Sequence, residues 1–307
     1  MPSIQNPLGA LPSRFRRPRL LIVGCGDIGL RVATHLPRAV RVLALTSSPQ
    51  RAPALRRHGI CPLVGNLDQP STLARLAGLA THVLHLAPPP SEGWADTRTR
   101  ALLHRLRGRA LPGRLVYAST SGVYGDCGGE WVSETRLPQA RTQRAVRRLD
   151  AELQVRFWGR SSATPVSLLR VPGIYAADRE GGTPQARLAK GTPVLRPEDD
   201  VFTNHIHADD LARACVAALW RGQAQRIYHV NDDTSLRMGD YFDLAADLYG
   251  MPRPPRIARE GAQHQLPLML LSFMSESRRL RNTRMKQELR LALRYPTVRE
   301  GLLAVRP

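Results

Sequence analysis

The sequence predicts an α/β fold, a doubly wound parallel sheet with a smaller C-terminal α/β lobe packed on it. Three observations carry this expectation. Short apolar runs alternate with helical stretches from residue 19 onward, turn residues punctuate most boundaries between them, and a glycine-rich turn follows the first run. The expected strands are 20–23, 40–45, 61–64, 82–86, 114–118 and 166–171. The helical stretches between them are 28–36, 51–58, 71–76, 96–107 and 142–158. Pro37, Gly59, Pro70, Pro112-Gly113 and Pro165 fall at the boundaries, where their backbone preferences favour turns. Six strands in this rhythm place a ligand beyond their carboxyl ends. Past residue 172 Gly and Pro become frequent, and helices expected near 209–220, 238–249 and 266–281 are joined by irregular chain. The main domain is therefore expected over 19–172 and a smaller substrate lobe over 173–307, with no flexible linker between them. A poorly ordered basic tail, rich in Pro, Ser and Arg, is expected over 1–18.

Composition narrows the classes of function. A chain of 307 residues, 42% hydrophobic, can bury a sizeable core. The densest apolar runs, 20–23 and 266–271, are far too short to span a bilayer. The basic N-terminal stretch leads into a glycine turn rather than a cleavage site, which argues against a signal peptide. Cys25, Cys61, Cys127 and Cys215 are scattered, with no CxxC or Cys/His cluster, as expected of reduced thiols in the cytoplasm and of a chain without a metal site. The net charge of +20 invites a nucleic-acid partner. However, only Lys190 and Lys286 among 45 basic residues are lysine, the arginines are spread over nearly every segment, and five phenylalanines offer little for base stacking. The charge would still draw in phosphorylated ligands.

The first turn reads Gly24-Cys25-Gly26-Asp27-Ile28-Gly29, between an apolar strand and an amphipathic helix. In that context GxGxxG is the dinucleotide turn of a Rossmann-type sheet. Gly24 permits the tight turn, Gly26 lets the backbone approach a pyrophosphate, and Gly29 lets helix pack closely on strand. The phosphates would meet free N–H groups at the positive end of the helix. Asp27 is expected to cap that helix with its side chain turned away from phosphate. A purely structural turn is the alternative. The second strand ends Leu45-Thr46-Ser47-Ser48-Pro49-Gln50-Arg51, without the carboxylate that would accept ribose hydroxyls and repel a 2′-phosphate. Thr46, Ser47 and Arg51 thus suit NADP better than NAD, unless Ser47 and Ser48 simply cap the next helix.

Four further segments carry a family resemblance. They are Tyr117-Ala118-Ser119-Thr120-Ser121-Gly122-Val123-Tyr124-Gly125, the stretch from Ser167 through Arg170 to Tyr175, the stretch Asn204-His205-Ile206-His207-Ala208-Asp209-Asp210, and the closing 289–303 region with Tyr295-Pro296-Thr297. Together with the glycine turn they resemble the extended short-chain dehydrogenases/reductases, the NAD-dependent epimerase/dehydratase family, and in the closing region an atypical subgroup. The resemblance implies hydride transfer at a carbon bearing a hydroxyl or keto group, worked by a Ser/Thr, a Tyr and a Lys. It places Thr120 as the catalytic hydroxyl and Ser119, Asn66, Leu67, Ala87 and Pro88 against the cofactor. It also puts Arg144 at the tyrosine position and Arg148 at the lysine position. YxxxK occurs nowhere, since Ala186 and Asn282 stand four residues before the two lysines.

Arg148 could still grip the nicotinamide ribose, but arginine does not deprotonate in proteins. Tyr124 is the candidate substitute acid; Tyr175, Arg179 and His207 are candidate substrate contacts, with His205 a further titratable group nearby. A packed aromatic is the other reading of Tyr124, and a helix-start partner the other reading of His207. Two functions follow. One is an atypical NAD(P)-dependent oxidoreductase on a hydroxyl or keto small molecule, nucleotide-sugar-like. The other is a non-catalytic NAD(P) sensor or scaffold. The resemblance also makes a homodimer an expectation.

Overall fold

The computed structural model describes residues 17–179 and 181–304. Most of the tail expected over 1–18 therefore lies outside the described residues. Seven parallel strands form the main sheet: β1 (Arg19–Val23), β2 (Arg41–Thr46), β3 (Cys61–Val64), β4 (His82–His85), β5 (Arg114–Thr120), β6 (Val166–Val171) and β7 (Arg226–His229). Their order is β7-β6-β5-β4-β1-β2-β3. Leu20 of β1 faces Val42 on one side and His82 on the other, so the strand order reverses at β1. A crevice opens at such a reversal, outside the carboxyl ends.

Both faces of the sheet are covered. Leu20 and Ile22 join one apolar cluster, Leu21 and Val23 the opposite one, and none of the four is exposed. Each such burial contributes about 1.5–3 kcal/mol. On the first face lie α1 (Asp27–Thr34) and α5 (Ala208–Arg221), which pack on each other. On the second lie α3 (Thr97–Leu106) and α4 (Gln143–Ser161), while α2 (Ala52–Arg57) follows β2. Arg170 of β6 grips Glu152 of α4 through two hydrogen bonds of 3.0 and 2.7 Å, and each side chain is only 2% exposed. This pair holds α4 in place against the sheet. A third cluster gathers Tyr175, Leu188, Val201, Tyr241, Phe242 and Met274 around α6 (Met238–Tyr249).

Three expectations change. The seventh strand, Arg226–His229, is four residues long and lies beyond residue 172, in a stretch that reads as irregular chain. It pairs with β6, so the main sheet draws on both halves of the chain. The stretch 71–76 is a 3-10 helix, Pro70–Leu76, rather than an α-helix. The helix expected over 266–281 is only Leu268–Met274. Beyond it, the carbonyl of Ser277 accepts from the N–H groups of Cys127 and Gly129, and Arg279–Leu280 pairs with Trp131–Val132. Backbone groups committed to another segment cannot also close helical turns. Among the described residues no helix is long and apolar enough to cross a membrane, and no three His, Cys, Asp or Glu side chains gather as a metal site would need.

Candidate functional site

The turn after β1 separates the three glycine roles. Gly24 has φ +85°, and a Cβ there would stand 2.5 Å from the backbone nitrogen of Ala87. A Cβ on Gly29 would stand 3.0 Å from Cys25 Sγ and 3.2 Å from Ile22 Cγ2, so helix and strand touch there. A Cβ on Gly26 would meet nothing within 4 Å. The chain is therefore packed behind the turn and open in front of it, at the N-terminus of α1, which is the space a pyrophosphate requires. Ile28 packs against the core below. Cys25 is buried, which pushes its thiol up to about 11 against the lowering effect of Arg51.

Asp27 does not cap α1: Gly26 is the N-cap and offers no side chain. The Asp27 carboxylate instead takes Arg31 Nε at 2.9 Å and Arg179 Nη1 at 3.3 Å. Arg31, nearly buried, also grips Asp178 at 2.7 Å and pairs with Asp209. The substrate loop around 178–179 and the start of α5 are thereby tied to the dinucleotide turn.

At the end of β2, Arg51 Nη2 donates to the Cys25 carbonyl at 2.8 Å, which holds a cation beside the turn. Ser48 precedes the 3-10 turn Pro49–Arg51 but makes no side-chain cap, and Arg51 itself precedes α2. Thr46 Oγ1 accepts from Ser48 N–H at 3.3 Å, while Ser47 is exposed. Asn66 Oδ1 accepts from Asp68 N–H at 3.0 Å with Leu67 half-buried beside it. Ala87 is buried, Pro88 is exposed, and buried Ser119 Oγ has no protein partner.

A cavity of about 500 Å³ opens beyond β5. Thr120, Arg144, Tyr175, Arg179, His205 and Tyr241 are among its walls. Thr120 Oγ1 accepts from Gly122 N–H at 3.2 Å, which leaves its own proton available to the cavity. Tyr175 Oη donates to the Thr297 carbonyl at 3.3 Å, and burial pushes its phenol far above the usual range. His205 stacks on Tyr241 at 4.2 Å, and burial lowers its pKa to about 4, so it is neutral at pH 7.

Two candidates stand elsewhere. Tyr124 does not line the cavity; the 3-10 turn Ser121–Tyr124 carries it inward, where its hydroxyl lies 2.5 Å from His229 Nε2 and Arg170 covers its ring. Burial pushes its phenol up to about 12. His207 is likewise absent from the cavity walls. Its Nδ1 accepts from Asp209 N–H at 3.2 Å as the N-cap of α5, between the rings of Tyr175 and Tyr295.

The profile of the NAD dependent epimerase/dehydratase family matches residues 20–231, more than half of the chain. This chain is a member of that family. Among solved structures, a functionally unknown conserved protein from Silicibacter pomeroyi is 31% identical, with 93% of this chain and 96% of that one covered and a TM-score of 0.78. A UDP-glucose 4-epimerase from Thermotoga maritima shares the fold at 17% identity, with 92% and 96% covered and a TM-score of 0.74. So does a UDP-glucuronic acid 4-epimerase from Bacillus cereus, solved with NAD, at 17% identity, 92% and 96% covered and a TM-score of 0.72. No curated protein matches the chain.

Within this epimerase/dehydratase-family chain, α4 carries neither tyrosine nor lysine at the cavity. Arg148 reaches back to β5, donating to the Ala118 carbonyl at 2.8 Å and to Tyr117 Oη at 3.2 Å. Arg144 lines the cavity, its guanidinium 5.0 Å from the Phe273 ring centre. Arg187, Phe273 and Arg278 also line it. No local motif marks those three, which meet only because the lobe folds back onto the sheet. Arg144 did carry a signal, its place four residues before Arg148.

Proposed function

We propose that the protein binds NADP in preference to NAD and uses it for hydride transfer at a hydroxyl or keto carbon of a small, nucleotide-sugar-like molecule held in the cavity. The observation that carries this reading is a glycine turn with open space before Gly26, on the same sheet edge as a cavity ending on Thr120. The cation of Arg51 beside the turn, with no carboxylate ending β2, supports a 2′-phosphate. The dinucleotide, when bound, supplies the hydride donor or acceptor. Thr120 donates a hydrogen bond to the substrate oxygen and orients it, while Arg148 braces the strand that carries Thr120. Arg144 and Arg148 do not give up a proton, so proton exchange falls to solvent, at a loss of about 10²–10⁴-fold in rate.

That loss favours a second reading, in which the chain binds the dinucleotide and catalyses nothing. Calorimetric titration with NADP and NAD, followed by NADPH turnover on a panel of sugars and ketones from about pH 6 to about pH 10, separates the two. Turnover that collapses in Thr120→Ala supports the enzyme. Tight NADPH binding without turnover supports the sensor, and activity appearing in Arg144→Tyr/Arg148→Lys would show that only the proton relay was missing.

A further inference from the structure

Among the described residues the charges in the cavity wall do not balance: Arg144, Arg179, Arg187 and Arg278 line it, against the single carboxylate Glu276. Two of the four cations are answered by protein. Arg179 pairs with Asp27, and Arg278 Nη1 lies 2.8 Å from both Glu276 and the Gly125 carbonyl. Arg187 has its guanidinium 4.2 Å from the Phe242 ring centre. Arg144 lies over the Phe273 ring and feels the Glu276 charge, but no hydrogen-bond acceptor among the described residues meets its guanidinium. Further polar atoms of the wall are buried without a protein partner: Arg187 Nε and Nη2, Arg278 Nε and His205 Nδ1.

Arg144 is also placed where a cation is locally unfavourable. It sits in the first turn of α4, whose amide dipoles favour anions, and that turn holds no acidic residue. Arg148 stands one turn further along the same face and acts on Arg144 as a like charge, as does Arg278, while Glu276 opposes them. Its guanidinium stays protonated, so the charge it presents to the cavity is permanent. Arg144 is exposed to the cavity and held by no protein acceptor among the described residues, so its guanidinium donors are free to meet an anion there.

We propose that Arg144 is a ligand-binding residue that grips an anionic group, a carboxylate or a phosphate, at the strand-five end of the cavity. The inference rests on the cavity being the substrate site and deepens that reading. α4 packs on the turn Ser121–Tyr124, which follows Thr120, so the anion lies at the reacting end of the ligand. A guanidinium there offers two parallel N–H donors to such a group, and Thr120 offers its hydroxyl. The substrate is accordingly an acid or a phosphate ester whose charge sits close to the reacting carbon.

The test uses the full chain, with thermal unfolding followed against rising tartronate, inorganic phosphate and neutral glycerol at constant ionic strength. One of the two anions should give saturable stabilisation and glycerol none; the tighter anion identifies carboxylate or phosphate. Arg144→Gln should raise that dissociation constant by about tenfold or more, the scale of a charge-assisted bidentate contact, with Arg144→Lys in between. Arg160→Gln, which removes an exposed charge from the far end of the same helix, should leave it unchanged. Absence of saturable binding by either anion overturns the proposal, as does unchanged binding in Arg144→Gln or equal weakening in Arg160→Gln. NADP titration of the same proteins separates the failures. Retained NADP binding without anion binding defeats this inference alone, whereas anion binding through Arg144 without NADP binding defeats the oxidoreductase reading.

Discussion

The turn after β1 and the first two turns of α4 face the same sheet edge, yet different kinds of constraint govern them. At the turn, backbone sterics choose the residues: Gly24 because Ala87 leaves no room for a Cβ, and Gly29 because helix and strand touch. On α4 the backbone is an ordinary helix, and nothing in its geometry requires a tyrosine or a lysine facing the cavity. Arg144 and Arg148 therefore stand there without disturbing the fold, while the inward face keeps Glu152 bonded to Arg170. Gly24 and Gly29 are hard to change without breaking structure. Catalytic side chains on a helix surface are easily replaced.

The comparison can be broken most severely from the inward face of α4. Glu152→Ala should destabilise the protein by about 3–5 kcal/mol, because the Arg170 charge would stay buried without its partner. Denaturant midpoints read this, and a cost near that of an exposed substitution would mean the pair does not anchor α4.

Next comes the turn itself. Gly26→Val should raise the NADP dissociation constant by roughly a hundredfold or more while leaving the unfolding midpoint of the cofactor-free protein nearly unchanged, since only open space faces that position. Unchanged affinity in a folded variant would remove the dinucleotide assignment. Gly24→Val should instead impair folding, because Ala87 blocks the side chain.

A smaller effect concerns pH. Burial holds His85, His205 and His229 at about 3, about 4 and about 3, below the 6.5 expected in the unfolded chain. Their neutral forms cost nothing above pH 6.5. Below it the unfolded state takes up protons that the folded state refuses. Stability should then fall as pH drops toward 4, by up to about 1.4 kcal/mol per pH unit for each group. His205→Gln should make the decline shallower, and an unaltered slope would show that this ring is not held neutral.

The mildest expectation sharpens the cofactor side. Arg51→Ala should narrow the NADP-over-NAD preference by about tenfold, the scale of one charge-assisted contact to phosphate. Paired calorimetric titrations measure it, and tighter NAD binding in the wild type would reverse the preference.

Local rules made the first half of the chain legible. A residue-by-residue alternation of faces, turn formers at the boundaries and three glycines with separate steric duties are all short-range requirements, so the sequence alone determined six strands, the turn and the family resemblance. It also revealed that YxxxK is missing, because an absent spacing needs no structure to detect. The seventh strand was not legible: four residues acquire strand conformation by pairing with β6, not by their own pattern. The same holds for the interrupted helix near 274–281, whose backbone is claimed by the 125–132 loop. Tertiary structure alone decided that Tyr124 turns inward to His229 and that His207 caps a helix. It alone gathered Arg144, Arg187 and Arg278 around one cavity. Side-chain direction and long-range charge depend on residues tens or hundreds of positions away, which no local spacing records.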